Sequence, residues 1–283
     1  YQAKDSNREY AIFDAPMHTL AVRQMQLEND LRHAIERQEF ELHYQPIMAL
    51  TSGRLQGFEA LIRWRHPQQG LISPADFIPV AENTGLIADI DLWTLNQACL
   101  QMHQWHQQFP QHRELTVNVN LSGKQFVRAD LIQRIDGALA QTGLQGHHLK
   151  LEITESVLIQ NAPLAITILA QLKNRGITVC MDDFGTGYSS LSYLHRFPVD
   201  VLKIDKSFIS GLQNHDSSSG DAEIIRAIIS LATSLKLSVV AEGIETIEQL
   251  NYLKANHCQG GQGYYYSKPM AAVDVSAYLT NHP

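Results

Sequence analysis

Short runs rich in Val, Ile and Leu alternate with longer amphipathic segments along most of the chain, and this alternation restricts the fold more than any single motif does. The strand candidates are ELHYQPI (41–47), LQGFEALI (55–62), LTVNVNLS (115–122), LKLEITE (149–155), TVCMDDF (178–184), DVLKIDKS (200–207), SVVAEGIE (238–245) and QGGQGYYYS (259–267). Helical spacing falls around 17–38, 87–109, 124–142, 160–174, 219–236, 246–256 and 271–280, with shorter pieces near 74–82 and 187–196. Ser73-Pro74 and Asp221 supply helix-start chemistry: a side-chain oxygen or a proline where backbone N–H groups lack intrahelical partners. Eight strands with helical connections over about 240 residues predict an α/β fold, a (β/α)8 TIM-like barrel. A doubly wound open sheet is its structural rival. QNHDSSSGD (213–221) reads as a surface loop, and no linker divides residues 40–283.

The totals remove several function classes. A hydrophobic fraction of 44% with 18% charged residues describes an ordinary globular chain, and no apolar run approaches a membrane span of roughly 20 residues. Cys99, Cys180 and Cys258 are odd in number and lack CxxC spacing, which predicts a reducing, cytoplasmic compartment without disulfide framework or zinc knuckle. A net charge of −7 with no basic run argues against gripping long nucleic acid by its backbone. A small anionic ligand requires a local cation to reverse the field.

Polar residues recur late in the strands, where a barrel gathers its chemistry. Glu59 follows LQGF, Glu152 lies in LKLEITE, Asp182 and Asp183 end TVCMDD, Lys203 sits in VLKID, Glu242 closes SVVAE, and Gln262 precedes YYY. Asn118 and Asn120 alternate with Val117 and Val119, so both asparagines point to one face. Carboxylates converging on one mouth stay ionised only if cations neutralise them. Glu59, Asn120, Glu152, Asp182, Asp183 and Glu242 offer oxygen alone, which selects hard cations, Mg²⁺ or Mn²⁺ before zinc. In the adjacent pair Asp182-Asp183, one carboxylate can bridge two ions and its neighbour complete the second. Paired ions roughly 3.5–4 Å apart suit phosphodiester hydrolysis. Lys203 would orient the attacking water or balance charge, with Asp205 two residues on to fix the amine.

Taken singly, these residues have plainer explanations. A glutamate late in a strand is usually a rim salt bridge, and a lysine there a solvated one. His103, His106 and His112 read as a polar helix face followed by a loop. The DFG tripeptide has no accompanying kinase motifs, the Asn120-Leu121-Ser122 sequon is empty in a cytosolic chain, and Gly260, Gly261 and Gly263 form no nucleotide fingerprint. A retaining glycosidase could use Glu152 and Glu242 about 5 Å apart, but it leaves Asp182, Asp183, Asn120 and Lys203 without a purpose.

The ordered motifs YQPI (44–47), GFEALIRW (57–64), NLS (120–122), LEITES (151–156), DDFGTGYSSL (182–191), LKIDKSFI (202–209), AEGIE (241–245) and QGYYYSKPM (262–270) resemble the EAL-domain family of cyclic di-GMP phosphodiesterases. The likeness runs from about residue 27 to the end of the chain. It implies a barrel whose first strand is antiparallel to the others, and hydrolysis of cyclic di-GMP to linear 5′-pGpG with two Mg²⁺ or Mn²⁺ ions. Ca²⁺ is expected to bind and inhibit. By position, Glu59, Asn120, Glu152 and Asp182 match the ligands of one ion, and Asp182, Asp183 and Glu242 surround the second, with Asp183 also facing substrate. Lys203 and Gln262 match groups that handle water, Arg63 a grip on substrate phosphate, and Gln45 a pocket wall. Glu155 resembles an anchor for the loop FGTGYSS, assisted by Glu245. Family members are commonly homodimers, and some have lost turnover and act as receptors, which is the competing reading. YQAKDSNREYAIFD (1–14) resembles the end of an upstream GGDEF domain, residues 15–38 a connecting helix, and 39–283 the barrel.

Overall fold

The computed structural model describes residues 15–186, 194–212 and 220–281. Helix α1 (Ala15–Ala34) leads through a turn at Gln38 into β1 (Phe40–Ala49). Strand β2 (Leu55–His66) returns antiparallel to β1, and β3 (Gly70–Ile72) folds back on the far end of β2. Helices α2 (Pro74–Thr84) and α3 (Ile87–Gln108) then lead to β4 (Thr116–Asn120). Next come α4 (Gly123–Phe126), α5 (Leu131–Thr142), β5 (Leu149–Thr154), α6 (Glu155–Gln160), α7 (Ala162–Lys173) and β6 (Thr178–Phe184). The chain continues with β7 (Val201–Ile204), α8 (Lys206–Ser210), α9 (Gly220–Ser234), β8 (Ser238–Ala241) and α10 (Ile247–Ala255). Strands β9 (Gly260–Gly261) and β10 (Met270–Ala271) precede α11 (Ala272–Asn281).

Seven strands, β2 and β4 to β9, lie parallel in that order. Strand β1 closes the ring, antiparallel to β2 on one side and to β9 on the other. The expected barrel and its reversed first strand are both present. Pro46 is tolerated inside β1 for a local reason. On the flank away from β2, β1 pairs with β10 through His43 and Tyr44 and with β9 through Met48 and Ala49, so the residue lacking an N–H falls in the gap between the two short ladders.

The main core fills the barrel and its junction with the outer helices. A second cluster forms where Leu27, Leu31 and Ala34 of α1 cover Phe40, Trp64 and Phe77. Trp64 donates its indole N–H to Glu39 (2.9 Å), so burying that ring leaves no orphan donor.

Two expectations need correction. The helix expected over 124–142 is broken, because Ser122 caps the short α4 through Gln125 N and Asp130 binds Arg128 and Arg134 at the corner before α5. The strand expected over 259–267 is only two residues long. At Gly263 the chain presses against the backbone of Ile244, where a Cβ would lie 2.1 Å from the carbonyl oxygen, and Tyr265 N bonds that same oxygen. The chain must turn there. The 1–14 segment and most of the 187–196 helix and 213–221 loop lie outside the described residues.

Candidate active site

Local structure explains how each polar side chain reaches the barrel mouth. Glu59 pairs in register with Gln45 of β1 and Asn118 of β4. Asn120 is the last residue of β4 and lies beside Glu152 in the ladder. Between Met181 and Phe184, β6 advances three residues while β7 advances two. Asp183 takes a left-handed φ of 53°, which Asp tolerates better than most residues. This bulge releases the Asp182-Asp183 pair from the strict alternation that would send neighbours to opposite faces. Glu242 follows β8 and Gln262 follows β9, their backbones still bonded to Ile204 O and Ala241 O.

The acidic groups close on one ammonium. Lys203 Nζ lies 2.5 Å from Glu242 Oε1, 2.7 Å from Glu152 Oε2, 3.5 Å from Asp182 Oδ1 and 3.6 Å from Glu59 Oε2. Lys203 is 1% exposed, so this is no solvated rim lysine. Glu59 accepts from Asn120 Nδ2 at 2.8 Å and from Gln262 Nε2 at 2.5 Å; Gln262 also reaches Glu242 at 3.4 Å. Asn118 donates to Glu152 Oε1 at 2.7 Å.

One positive charge among four carboxylates leaves a surplus of negative charge in a region shielded from water. Burial, Glu59 and the other acids push the Glu152 carboxyl well above its usual range. Burial pushes Glu242 up to about 8 despite its contact with Lys203. Burial opposes ionisation of Glu59 too, but Lys203 and the amides of Gln262 and Asn120 outweigh it and hold that carboxyl low. Burial also disfavours the Lys203 ammonium, yet the ring of acids raises it well above the ordinary lysine value. Asp183, half-buried beside Asp182, is raised by desolvation and then by its neighbour's charge.

Glu152 Oε2 and Asp182 Oδ1 are buried and take no directed hydrogen bond, and Gln262 Oε1 is a further unmatched acceptor. Such an excess of acceptor oxygens and negative charge fits hard divalent cations. Among the described residues no three His, Cys, Asp or Glu side chains surround a common metal position; the carboxylates close on Lys203 instead.

Around this ring, Gln45 is buried and donates to Ser267 O at 3.2 Å. Arg63, on β2 beyond Glu59, bonds Ile62 O, and burial lowers its pKa. Glu155 Oε2 receives Gly185 N at 3.5 Å, a contact to the start of the FGTGYSS loop, whose residues from 187 onward lie outside the described set. Glu245 is exposed, and its backbone N–H donates to the Gln249 side chain at 2.7 Å. Asp205 does not fix the Lys203 amine: it caps α8 by accepting from Ser207 N at 2.9 Å. The residue whose part had gone unassigned is Asn118. Its shared face with Asn120 was visible in the alternation, but its bond to Glu152 depends on β4 lying beside β5. His106 and His112 are tied to Leu115 O and Leu279 O, and His103 lies near Gln107.

Residues 28–269 match the family described as EAL domain. The chain is 45% identical over 278 residues to the bifunctional diguanylate cyclase/cyclic di-GMP phosphodiesterase MucR of Pseudomonas aeruginosa, covering 98% of this chain and 40% of that protein. It is 42% identical over 280 residues to the cyclic di-GMP phosphodiesterase NbdA of the same organism, covering 99% of this chain and 35% of the relative. The chain thus spans about two fifths or less of these curated relatives' lengths. A solved structure described as the PaMucR phosphodiesterase in complex with c-di-GMP superposes with a TM-score of 0.84 at 46% identity, covering 88% of this chain and 99% of that one.

Proposed function

We propose the function from one premise: the chain belongs to the EAL domain family. On that footing it is a phosphodiesterase that opens cyclic di-GMP to linear 5′-pGpG and so lowers a bacterial second messenger. The observation that carries this reading is the buried acidic ring, which one lysine only partly neutralises. A dianionic nucleotide would be repelled from such a mouth unless cations reversed its field.

Glu59, Asn120, Glu152 and Asp182 would hold one Mg²⁺ or Mn²⁺, and Asp182, Asp183 and Glu242 the other. Bound there, such ions neutralise the ring and make water acidic enough to attack at neutral pH. The chain's own residues do the rest. Lys203, fixed on the barrel's inner face, and Gln262, pinned between Glu59 and Glu242, position the attacking water. Arg63 steadies the substrate phosphate, Gln45 walls the pocket, and Asp183 faces the substrate. Glu155 ties the following loop to the barrel. Water adds to phosphorus, the P–O3′ bond breaks, and the freed 3′-oxygen takes a proton. An upstream GGDEF domain ending near residue 14, a connecting segment over 15–38 that holds helix α1, and a homodimer complete the proposal.

The test is a turnover assay with Mg²⁺ or Mn²⁺ and with chelator, products separated by chromatography. We expect pGpG only with metal, and little with Ca²⁺ alone. Glu59→Ala should lower turnover at least 100-fold, since losing outer-shell partners of a metal already costs about 10–100-fold. Tight nucleotide binding without hydrolysis under either metal would assign the chain to the receptors; unchanged turnover in Glu59→Ala would remove that residue from the site.

A further inference from the structure

At the end of the barrel opposite the acidic mouth lies a cavity of about 880 Å³, a volume typical of small-molecule sites. Arg54, from the β1–β2 turn, and Lys150, from the start of β5, line it together with Leu115 and Tyr278. Lys150 precedes Glu152 by two residues on one strand, so both face the inside of the barrel, Glu152 towards the mouth and Lys150 at the other end. Among the described residues neither Lys150 nor Arg54 makes an ion pair, and neither side chain makes a hydrogen bond. The sole acid in the lining, Glu114, lies 3.9 Å from Arg113, and both are well exposed. His112 adds an imidazole anchored on Leu279 O. A chain with net charge −7 therefore concentrates carboxylates at one end of its barrel and keeps two unpaired cations around a cavity at the other.

We infer that this cavity binds a small organic phosphate carrying a flat ring, of mononucleotide size. A guanidinium offers a planar fork that matches phosphate oxygens, and a lysine adds a point charge. The phenol of Tyr278 and the side chain of Leu115 give a ring an apolar surface to lie on. The site is independent of the reaction proposed at the mouth.

AMP is the probe, titrated by calorimetry into the whole protein in chelator, where the acidic mouth carries no divalent ion and repels anions. The expected result is saturable one-to-one binding, at least tenfold weaker for adenosine, which lacks the phosphate. The pair Lys150→Met and Arg54→Gln should weaken AMP at least tenfold, and Arg63→Ala at the mouth should leave it unchanged. An amide NMR map on the unmutated protein keeps the test decisive if the variants fold poorly: shifts should gather at Leu55, Gln56, Lys150 and Tyr278. No saturation at millimolar AMP, or shifts gathered at Arg63 and Gln262, overturns the inference.

Discussion

Lys203 is the cation of the acidic ring, and its removal exposes what it balances. Breaking a buried ion pair by deleting one partner costs about 3–5 kcal/mol, because the remaining charge is left uncompensated. Lys203→Met should show a loss of that order in urea unfolding with chelator present. Mn²⁺ should shrink the difference from the native chain, since a bound divalent ion supplies the missing positive charge. An equal loss with and without Mn²⁺ would mean that a bound ion does not stand in for the lysine's charge. His148 packs beside the rings of His106 and His147, with centroids 4.4 and 3.9 Å away. Burial first, then the neighbouring His106 and His147, pull its imidazole down to about 4. The folded value lies below the ordinary 6.5, so the fold favours the neutral ring. Its stabilising contribution is complete above pH 6.5 and disappears as pH falls through about 4. An NMR titration should find this ring titrating near that pH; a midpoint at 6.5 would contradict the packing. Much at this scale was legible beforehand. The acids, the two asparagines and Lys203 could be placed late in strands from alternation alone. The capping role of Asp205 was not, because a residue two positions past a lysine shares its face only while the strand lasts, and β7 stops at Ile204.

At the scale of elements, the strand ends decide where the chemistry sits. Strand β9 has only two residues, and the chain turns at once so that Gln262 can reach both Glu59 and Glu242. Gly263 makes that turn possible. A methyl group there would fall 2.1 Å from Ile244 O and 2.2 Å from Ile244 N, both backbone atoms that cannot swing aside. Gly263→Ala should therefore cost about 1–3 kcal/mol, the usual range for overpacking, and move Gln262 away from the acids. The expected signature is a lower thermal midpoint together with a drop in kcat larger than any change in KM. A variant with native stability and turnover would show that the turn tolerates a shift. The β6 bulge is a similar case. The Asp182-Asp183 pair was plain in the sequence, but the extra residue that frees both carboxylates is a property of the β6–β7 register.

On the scale of the whole molecule, helix α1 packs against the barrel through its second half. Leu27 and Leu31 are buried against the cluster that holds Trp64 and Phe77, and Asp30 approaches His66 at 3.2 Å. Full burial of two leucines contributes about 3–6 kcal/mol. A chain beginning at residue 39 should accordingly melt at a visibly lower temperature and bind an apolar dye that the longer chain excludes. Equal melting temperatures would mean that the α1 contact adds nothing. The alternation of short apolar runs with amphipathic ones favoured a barrel over an open sheet, and the acids and amides late in those runs favoured hard cations at one end of it, because periodicity and side-chain chemistry are properties of neighbours along the chain. Which acid meets Lys203, how Gly263 clears Ile244, and where Asn118 finds Glu152 were decided only by the closed fold, because each depends on atoms that the ring of strands brings together from distant stretches.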